Sequence, residues 1–324
     1  MNVALRSEHL NILSICTGGG GLDLGVELAV PCARSVCMVE REAFAVAQLV
    51  SAMEAGLMAP APIWSDARTF DGRAWRGAVD GLIGGIPCQP HSVAGRKRGS
   101  LDERDLWSAA RRIIVQSRAW FVLIENVGGM LSAGDDEVAG AQRVFRDLSK
   151  LGFSVEAGLF TASEVGAPHQ RERIFILAVA DSDQPRLEGY GLVGERPGKL
   201  PFGACRRELA YASRVHQRWD RQWRQGEAGE AGRYGVGLFP PARDNYPEWG
   251  SVLAVAPDLE PAFCRVVDGV ASRLDVDRVE CLRMLGNGVV PLEAAYALRT
   301  LVTRLAASGS AGAARLVRMM EAAE

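Results

Sequence analysis

The chain of 324 residues lacks several features that would place it quickly. No apolar run approaches the roughly 18 residues of a membrane span. The first nine residues, Met1-Asn2-Val3-Ala4-Leu5-Arg6-Ser7-Glu8-His9, contain no apolar core of a signal peptide. The seven cysteines (16, 32, 37, 88, 205, 264 and 281) include no CxxC pair and no Cys/His cluster at zinc spacing. A reduced cytoplasmic protein without structural metal is expected. Bulk charge is also unhelpful, at −2 with a pI near 6.2, so any nucleic-acid partner must be inferred from local charge. Neither internal repeats nor the dinucleotide fingerprint GxGxxG is present. Counting from Gly18 the third glycine position holds Asp23, and from Gly19 it holds Leu24. A nicotinamide oxidoreductase is disfavoured on that ground.

What is present is an alternation of apolar runs and amphipathic stretches. Residues 10–16, 33–40, 63–66, 79–84, 119–127, 153–160 and 173–179 read as strands. Residues 22–29, 41–55, 103–118 and 135–151 read as helices. Such alternation implies an α/β fold with an open, mostly parallel sheet, helices on both faces and ligands at its carboxyl edge. Near the C-terminus, 278–285 reads as a helix stopped by Gly286-Asn287-Gly288. Pro291 to Ala306 reads as another, with proline in its first turn. The tail from Ala307 reads as small and polar, then weakly helical. Residues 181–265 break the pattern, being rich in Gly, Pro, Arg and Trp. From Arg196 to Arg224 eight Lys/Arg stand against two acids, interleaved with Tyr211, Trp219 and Trp223. Basic residues with aromatics suit a surface that meets phosphates and bases. Two domains are therefore expected, 1–180 with 266–324 and a smaller, loop-rich 181–265.

Candidate functional residues collect at strand carboxyl ends. The first strand runs into Thr17-Gly18-Gly19-Gly20-Gly21 and then Leu22-Asp23, a turn where backbone can approach a ligand closely. Asp23 near the helix start suits a ligand's ammonium group. Glu40 ends the second strand about twenty residues later, where a carboxylate binds ribose hydroxyls. Asp66 ends the third and suits an adenine amino group, or else caps residues 67–70. The fourth strand leads into Gly84-Gly85-Ile86-Pro87-Cys88-Gln89-Pro90-His91-Ser92. Two prolines stiffen the approach of one thiol, followed by a basic stretch with Arg96, Lys97 and Arg98. That context favours a nucleophile over core packing. The fifth strand, apolar throughout, ends in Glu125-Asn126. A carboxylate there must be paired, protonated or functional.

Together these residues resemble the cytosine-5 DNA methyltransferases, motif by motif and in order. Thr17-Gly18-Gly19-Gly20-Gly21-Leu22 resembles the cofactor loop, with Glu40 and Asp66 as the ribose and adenine acids. Gly85-Ile86-Pro87-Cys88-Gln89-Pro90 resembles the catalytic loop, and Glu125-Asn126-Val127 the Glu-Asn-Val element. His169-Gln170-Arg171-Glu172-Arg173 resembles Gln-x-Arg-x-Arg, and Gly286-Asn287-Gly288-Val289-Val290-Pro291 the late motif beside the cofactor. Ser14, Cys16 and His91 stand where the family commonly has Asp, Phe and Phe.

The resemblance implies a Rossmann-like methyltransferase sheet, S-adenosylmethionine as cofactor, duplex DNA as substrate and a target-recognition domain over 181–265. It implies Cys88, Glu125, Asn126, Arg171 and Arg173 as catalytic residues. It places Thr17, Gly18, Gly20, Gly21, Leu22, Asp23, Glu40, Asp66, Pro87, Asn287 and Val289 at the cofactor. Gln89, Ser92, Arg96, Lys97 and Arg98, with Arg206, Arg207, Arg218 and Arg221, are expected on DNA. A thiolate from Cys88 adding at cytosine carbon 6 makes carbon 5 nucleophilic, while Glu125, its acidity weakened by burial, serves ring nitrogen 3. A monomer is expected, in a restriction-modification or phage setting and with a cognate endonuclease as a further partner. The rivals are an RNA-directed enzyme of the same fold and a catalytically inactive DNA-binding relative.

Overall fold

The computed structural model describes residues 9–86, 106–131, 140–181, 246–255, 284 and 286–322. Seven strands form one sheet: β1 (Leu10–Ile15), β2 (Ala33–Val39), β3 (Ile63–Trp64), β4 (Gly81–Gly85), β5 (Phe121–Val127), β6 (Ser154–Thr161) and β7 (Glu172–Val179). Their order is β3-β2-β1-β4-β5-β7-β6. The pairs β2/β3, β1/β2, β1/β4 and β4/β5 are parallel, and β7 runs antiparallel to β5. The strand sequences explain the placement. Central β5 is buried from Phe121 to Asn126, as a strand covered on both faces must be. Short β3, with Trp64 half exposed, sits at the edge.

The helices are α1 (Gly21–Ala29), α2 (Ala43–Glu54), α3 (Trp107–Ser117), α4 (Gly140–Lys150), α5 (Tyr246–Val255), α6 (Pro291–Ala307) and α7 (Ala311–Glu321). The order reverses between β1 and β4, so right-handed crossovers send α1 and α2 to one face and α3 to the other. That reversal opens a crevice at the carboxyl ends of β1 and β4, where Ile15 lies opposite Gly84.

Each expected strand and helix within the described residues is present, with shifted ends. Residues 132–139 and 103–105, the starts of two expected helices, lie outside the described set, as does the resumed pattern near 266. Met284, Gly286 and Asn287 are helical and the Gly288 amide donates to Met284 O at 2.8 Å, so that helix ends later than the glycines suggest. The tail departs more. Instead of weak helicity, residues 311–321 form a capped helix with Ala313, Leu316 and Met320 buried. Asp181, just beyond β7, is the cause. Its carboxylate accepts from Ser310 Oγ at 2.5 Å, from Ser154 Oγ at 2.5 Å and from the Gly312 amide at 3.2 Å. Burial works against its charge, but these bonds prevail and hold its pKa below the usual value.

The chain divides into two compact units. One comprises Met1–Phe160, Glu172–Leu200 and Glu280–Glu324; the other comprises Thr161–Arg171 and Pro201–Val279. Of the expected 181–265 domain, the described part is Asp181 and α5. No helix among the described residues is long and apolar enough to cross a membrane.

Candidate active site

The glycine turn is built on backbone geometry that side chains resist. Gly18 has φ 57 and Gly20 φ 80. Gly21 opens α1, and a Cβ there would overlap the carbonyl oxygen of Val289. The late motif is thus seated against the turn by its backbone, placing Val289 beside Gly21. Asn287 is exposed near it in sequence. A Cβ on Gly25 would collide with Ala294 Cβ and Pro291 O, so α1 and α6 also meet closely.

Glu40 secures the turn from β2. Its Oε2 accepts the Gly18 amide at 2.6 Å, and Oε1 accepts the amides of Arg41 and Glu42 at 2.7 and 2.8 Å. The carboxylate is 7% exposed. It therefore organises the loop. Asp66 lies beyond β3. Its Oδ1 accepts the Arg68 amide at 2.9 Å and its carbonyl the Thr69 amide at 3.2 Å, which is the capping geometry considered from sequence. Arg68 lies 3.6 Å from the same carboxylate, and Arg112 of α3 holds the turn by donating to the carbonyls of Ala67, Arg68 and Phe70.

Asp23 requires a correction. Its carboxylate does not line the ligand edge; it is buried at 1% exposure, accepting from Ser14 Oγ at 3.0 Å and Ser35 Oγ at 2.5 Å. Burial pushes its pKa up to about 6. The physical reason is helical phase: position 23 of α1 faces β1 and β2, inward. The two serines that receive it went unassigned in the sequence. A lone hydroxyl inside each of two apolar strands, LNILSI and ARSVCMV, was the available signal.

At the crevice, β5 delivers Glu125 and Asn126. Glu125 is 5% exposed, and Arg173 of β7 places Nε 2.9 Å from Glu125 Oε1. The N–H is not aimed along this contact, so the interaction is an ion pair rather than an aligned hydrogen bond. Antiparallel pairing sets it up, with Glu125 opposite Phe175 and Val127 opposite Arg173. Gly85 leaves room, since a Cβ there would stand 3.1 Å from Glu125 Oε2. Asn126 Nδ2 donates to Ile86 O at 2.6 Å, and its Oδ1 accepts the Val127 amide at 2.8 Å. Asn126 thus fixes the last described residue before Pro87-Cys88. Arg171 belongs to the other unit, where its carbonyl accepts the Ala162 amide.

Cys88 itself, with Pro87, Gln89, Ser92, Arg96, Lys97 and Arg98, lies outside the described residues, as do Arg206, Arg207, Arg218 and Arg221. Two other cysteines are informative. Burial, with the nearby Glu40 charge, pushes the Cys16 thiol up to about 12; burial pushes Cys37 up to about 11. Neither is a thiolate at neutral pH. Cys16, just past β1, has φ 50, a backbone setting costly for a side chain.

A doubly wound sheet with a glycine turn, two strand-end acids and a buried Glu–Arg pair along one edge defines an α/β protein with its ligand site at that edge. The chain belongs to the C-5 cytosine-specific DNA methylase family, whose model matches residues 10–197. It is 32% identical over 194 residues to the Type II methyltransferase M.NgoMIV of Neisseria gonorrhoeae, covering 56% of this chain and 58% of the relative. It is 30% identical over 179 residues to M.NaeI of Lentzea aerocolonigenes, covering 55% and 42%. With M.BsuRI of Bacillus subtilis it shares 26% over 225 residues, covering 63% and 51%. The chain spans about half the length of the curated relatives it matches.

Proposed function

We propose that the protein transfers a methyl group from S-adenosylmethionine to carbon 5 of cytosine in a specific duplex DNA sequence. The observation that carries this reading is the pairing of Glu125 with Arg173 beside Asn126, which anchors the carbonyl two residues before Cys88. An acid and a cation thereby meet at the carboxyl end of β5, and Asn126 holds the carbonyl of Ile86, from which the sequence runs on to the candidate thiol.

The residues at the turn suit the cofactor. Gly18 faces open space, while Gly20 and Gly21 are packed against Met58 and the Val289 carbonyl; this turn, with Glu40 on the Gly18 amide and Asp66 at the next strand end, is assigned to a nucleoside with an amino-acid arm. Thr17, Leu22 and the 287–289 backbone complete the set. S-adenosylmethionine, when bound, supplies an electrophilic methyl group.

The chain's own residues do the rest. The Cys88 thiolate adds to carbon 6, and the electron pair displaced through the ring makes carbon 5 nucleophilic. Glu125, in its protonated carboxylic-acid form, donates a hydrogen bond to ring nitrogen 3, where charge gathers, with Arg173 orienting the carboxyl group. After carbon 5 takes the methyl group, its proton leaves to a base and Cys88 departs, restoring the ring double bond and the thiolate. The target base must leave the duplex for this to occur. Arg96, Lys97 and Arg98 of the catalytic loop, with Gln89 and Ser92, and Arg206, Arg207, Arg218 and Arg221 of the 181–265 segment, contact DNA. That the relatives are Type II methyltransferases supports a restriction-modification setting, in which we place a cognate endonuclease as the further partner.

The test is Cys88→Ser. Methyl transfer to DNA is expected to disappear while S-adenosylhomocysteine binding by calorimetry stays within about threefold of the parent. Retained transfer makes another group the nucleophile, and transfer to tRNA alone favours an RNA substrate.

A further inference from the structure

The Asp23 correction leaves a buried carboxylate that the proposed mechanism does not use. Its surroundings form a directed chain. An ionised carboxylate only accepts hydrogen bonds, and each hydroxyl has one proton to give. Ser35 spends its proton on Asp23 Oδ1 at 2.5 Å, and Ser14 spends its own on Oδ2 at 3.0 Å. Ser14 Oγ can therefore meet Thr17 Oγ1, 3.1 Å away, only as an acceptor, so the Thr17 proton points inward. Thr17 is the first residue of the glycine turn. All four side chains are buried, at 1% for Ser14 and Asp23, 4% for Ser35 and 7% for Thr17. Glu27, one turn along α1, adds a like charge against Asp23 rather than relieving it. A filler for this space would be less costly as an apolar side chain, which makes a purely packing role a poor account of the carboxylate.

We infer that Asp23 is a positioning residue which, through Ser14, fixes the Thr17 hydroxyl as a hydrogen-bond acceptor at the turn for the α-ammonium group of the cofactor's amino-acid arm. The inference rests on S-adenosylmethionine being the cofactor. With its own proton committed inward, Thr17 has only lone pairs to offer a ligand, and an ammonium group is all donor. The role first read for Asp23, holding an ammonium directly, thus passes to Thr17 with Asp23 behind it.

The experiment compares S-adenosylhomocysteine with its analogue lacking the α-amino group, by calorimetry on the full chain at pH 7.5. Thr17→Val, close to isosteric, is expected to weaken S-adenosylhomocysteine at least fivefold and leave the deamino analogue within twofold. Asp23→Asn, which lets Ser14 turn its proton towards Thr17, is expected to shift the two ligands in the same unequal way. Ser35→Ala, off the path to Thr17, leaves the ratio of the two affinities unchanged. Equal losses for both ligands in Thr17→Val and Asp23→Asn, as loop damage would give, overturn the inference, and so does no loss for either. A parent protein that binds neither ligand contradicts the cofactor assignment instead.

Discussion

At the scale of single residues, the most informative groups are those whose charge is taken out of water. Asp23 makes a prediction about stability that is separate from binding. Its folded pKa, pushed up to about 6, lies above the ordinary 3.8, so the folded state holds the proton more tightly than the unfolded chain does. Ionising it therefore costs stability. The cost is absent below about pH 4, grows through the window from 4 to 6, and is complete above it, amounting to about 3 kcal/mol. Asp23→Asn removes that penalty. Its stability relative to the parent, measured by urea unfolding, is expected to climb by up to about 3 kcal/mol between pH 4 and 7; a difference that stays flat contradicts the buried, ionised carboxylate. Glu125 and Arg173 show the opposite arrangement, two charges buried together. Arg173→Leu removes the cation from beside the buried carboxylate and is expected to cost up to about 3–5 kcal/mol, read from the same unfolding curves. A loss below about 1 kcal/mol would mean that other groups, not Arg173, satisfy Glu125.

At the scale of elements, the glycine turn and the late motif behave as one piece although more than 260 residues of sequence separate Gly21 from Val289. Gly21→Ala places a methyl group on the Val289 carbonyl, and backbone yields less readily than a side chain. We expect a loss of roughly 1–3 kcal/mol together with weakened S-adenosylhomocysteine binding. Gly18→Ala meets nothing within 4 Å and is opposed by its φ of 57 alone, so its stability loss is expected to be the smaller. The reverse order of the two variants in thermal unfolding contradicts this seating of α6 on α1.

The same elements show what was legible in sequence. Period and length were enough for β1 to β7, because the strands are largely apolar runs set between polar or turn-forming stretches. The strand-end acids Glu40 and Glu125 were visible for the same reason: a charge that ends a buried run stands out. Asp23 was misread because its role depends on which way α1 is rotated over the sheet, a fact of tertiary packing. The same holds for α7. Nothing within Ala311–Glu321 announces Asp181, yet that residue holds the Ser310 cap and the Gly312 amide from 129 positions before Ser310. The Glu125–Arg173 contact needed the antiparallel register of β5 and β7, which local pattern does not specify.

At the scale of the whole molecule, a chain with a net charge of −2 must concentrate its cations to hold DNA. The stretch 196–224 does so in sequence. Replacing Arg206, Arg207, Arg218 and Arg221 with alanine is expected to weaken DNA binding and to make the dependence of log affinity on log salt less steep by about 0.9 per lost phosphate contact. An unchanged slope puts the DNA surface elsewhere. The central claim, however, is the reaction itself, and bisulfite sequencing of DNA from cells expressing the chain tests it most directly, with Cys88→Ser cells alongside. The account predicts 5-methylcytosine at one position of a single short sequence, present with the parent chain and gone with Cys88→Ser. An unmodified genome under the expressed parent chain, or an unchanged pattern in the Cys88→Ser cells, would contradict it.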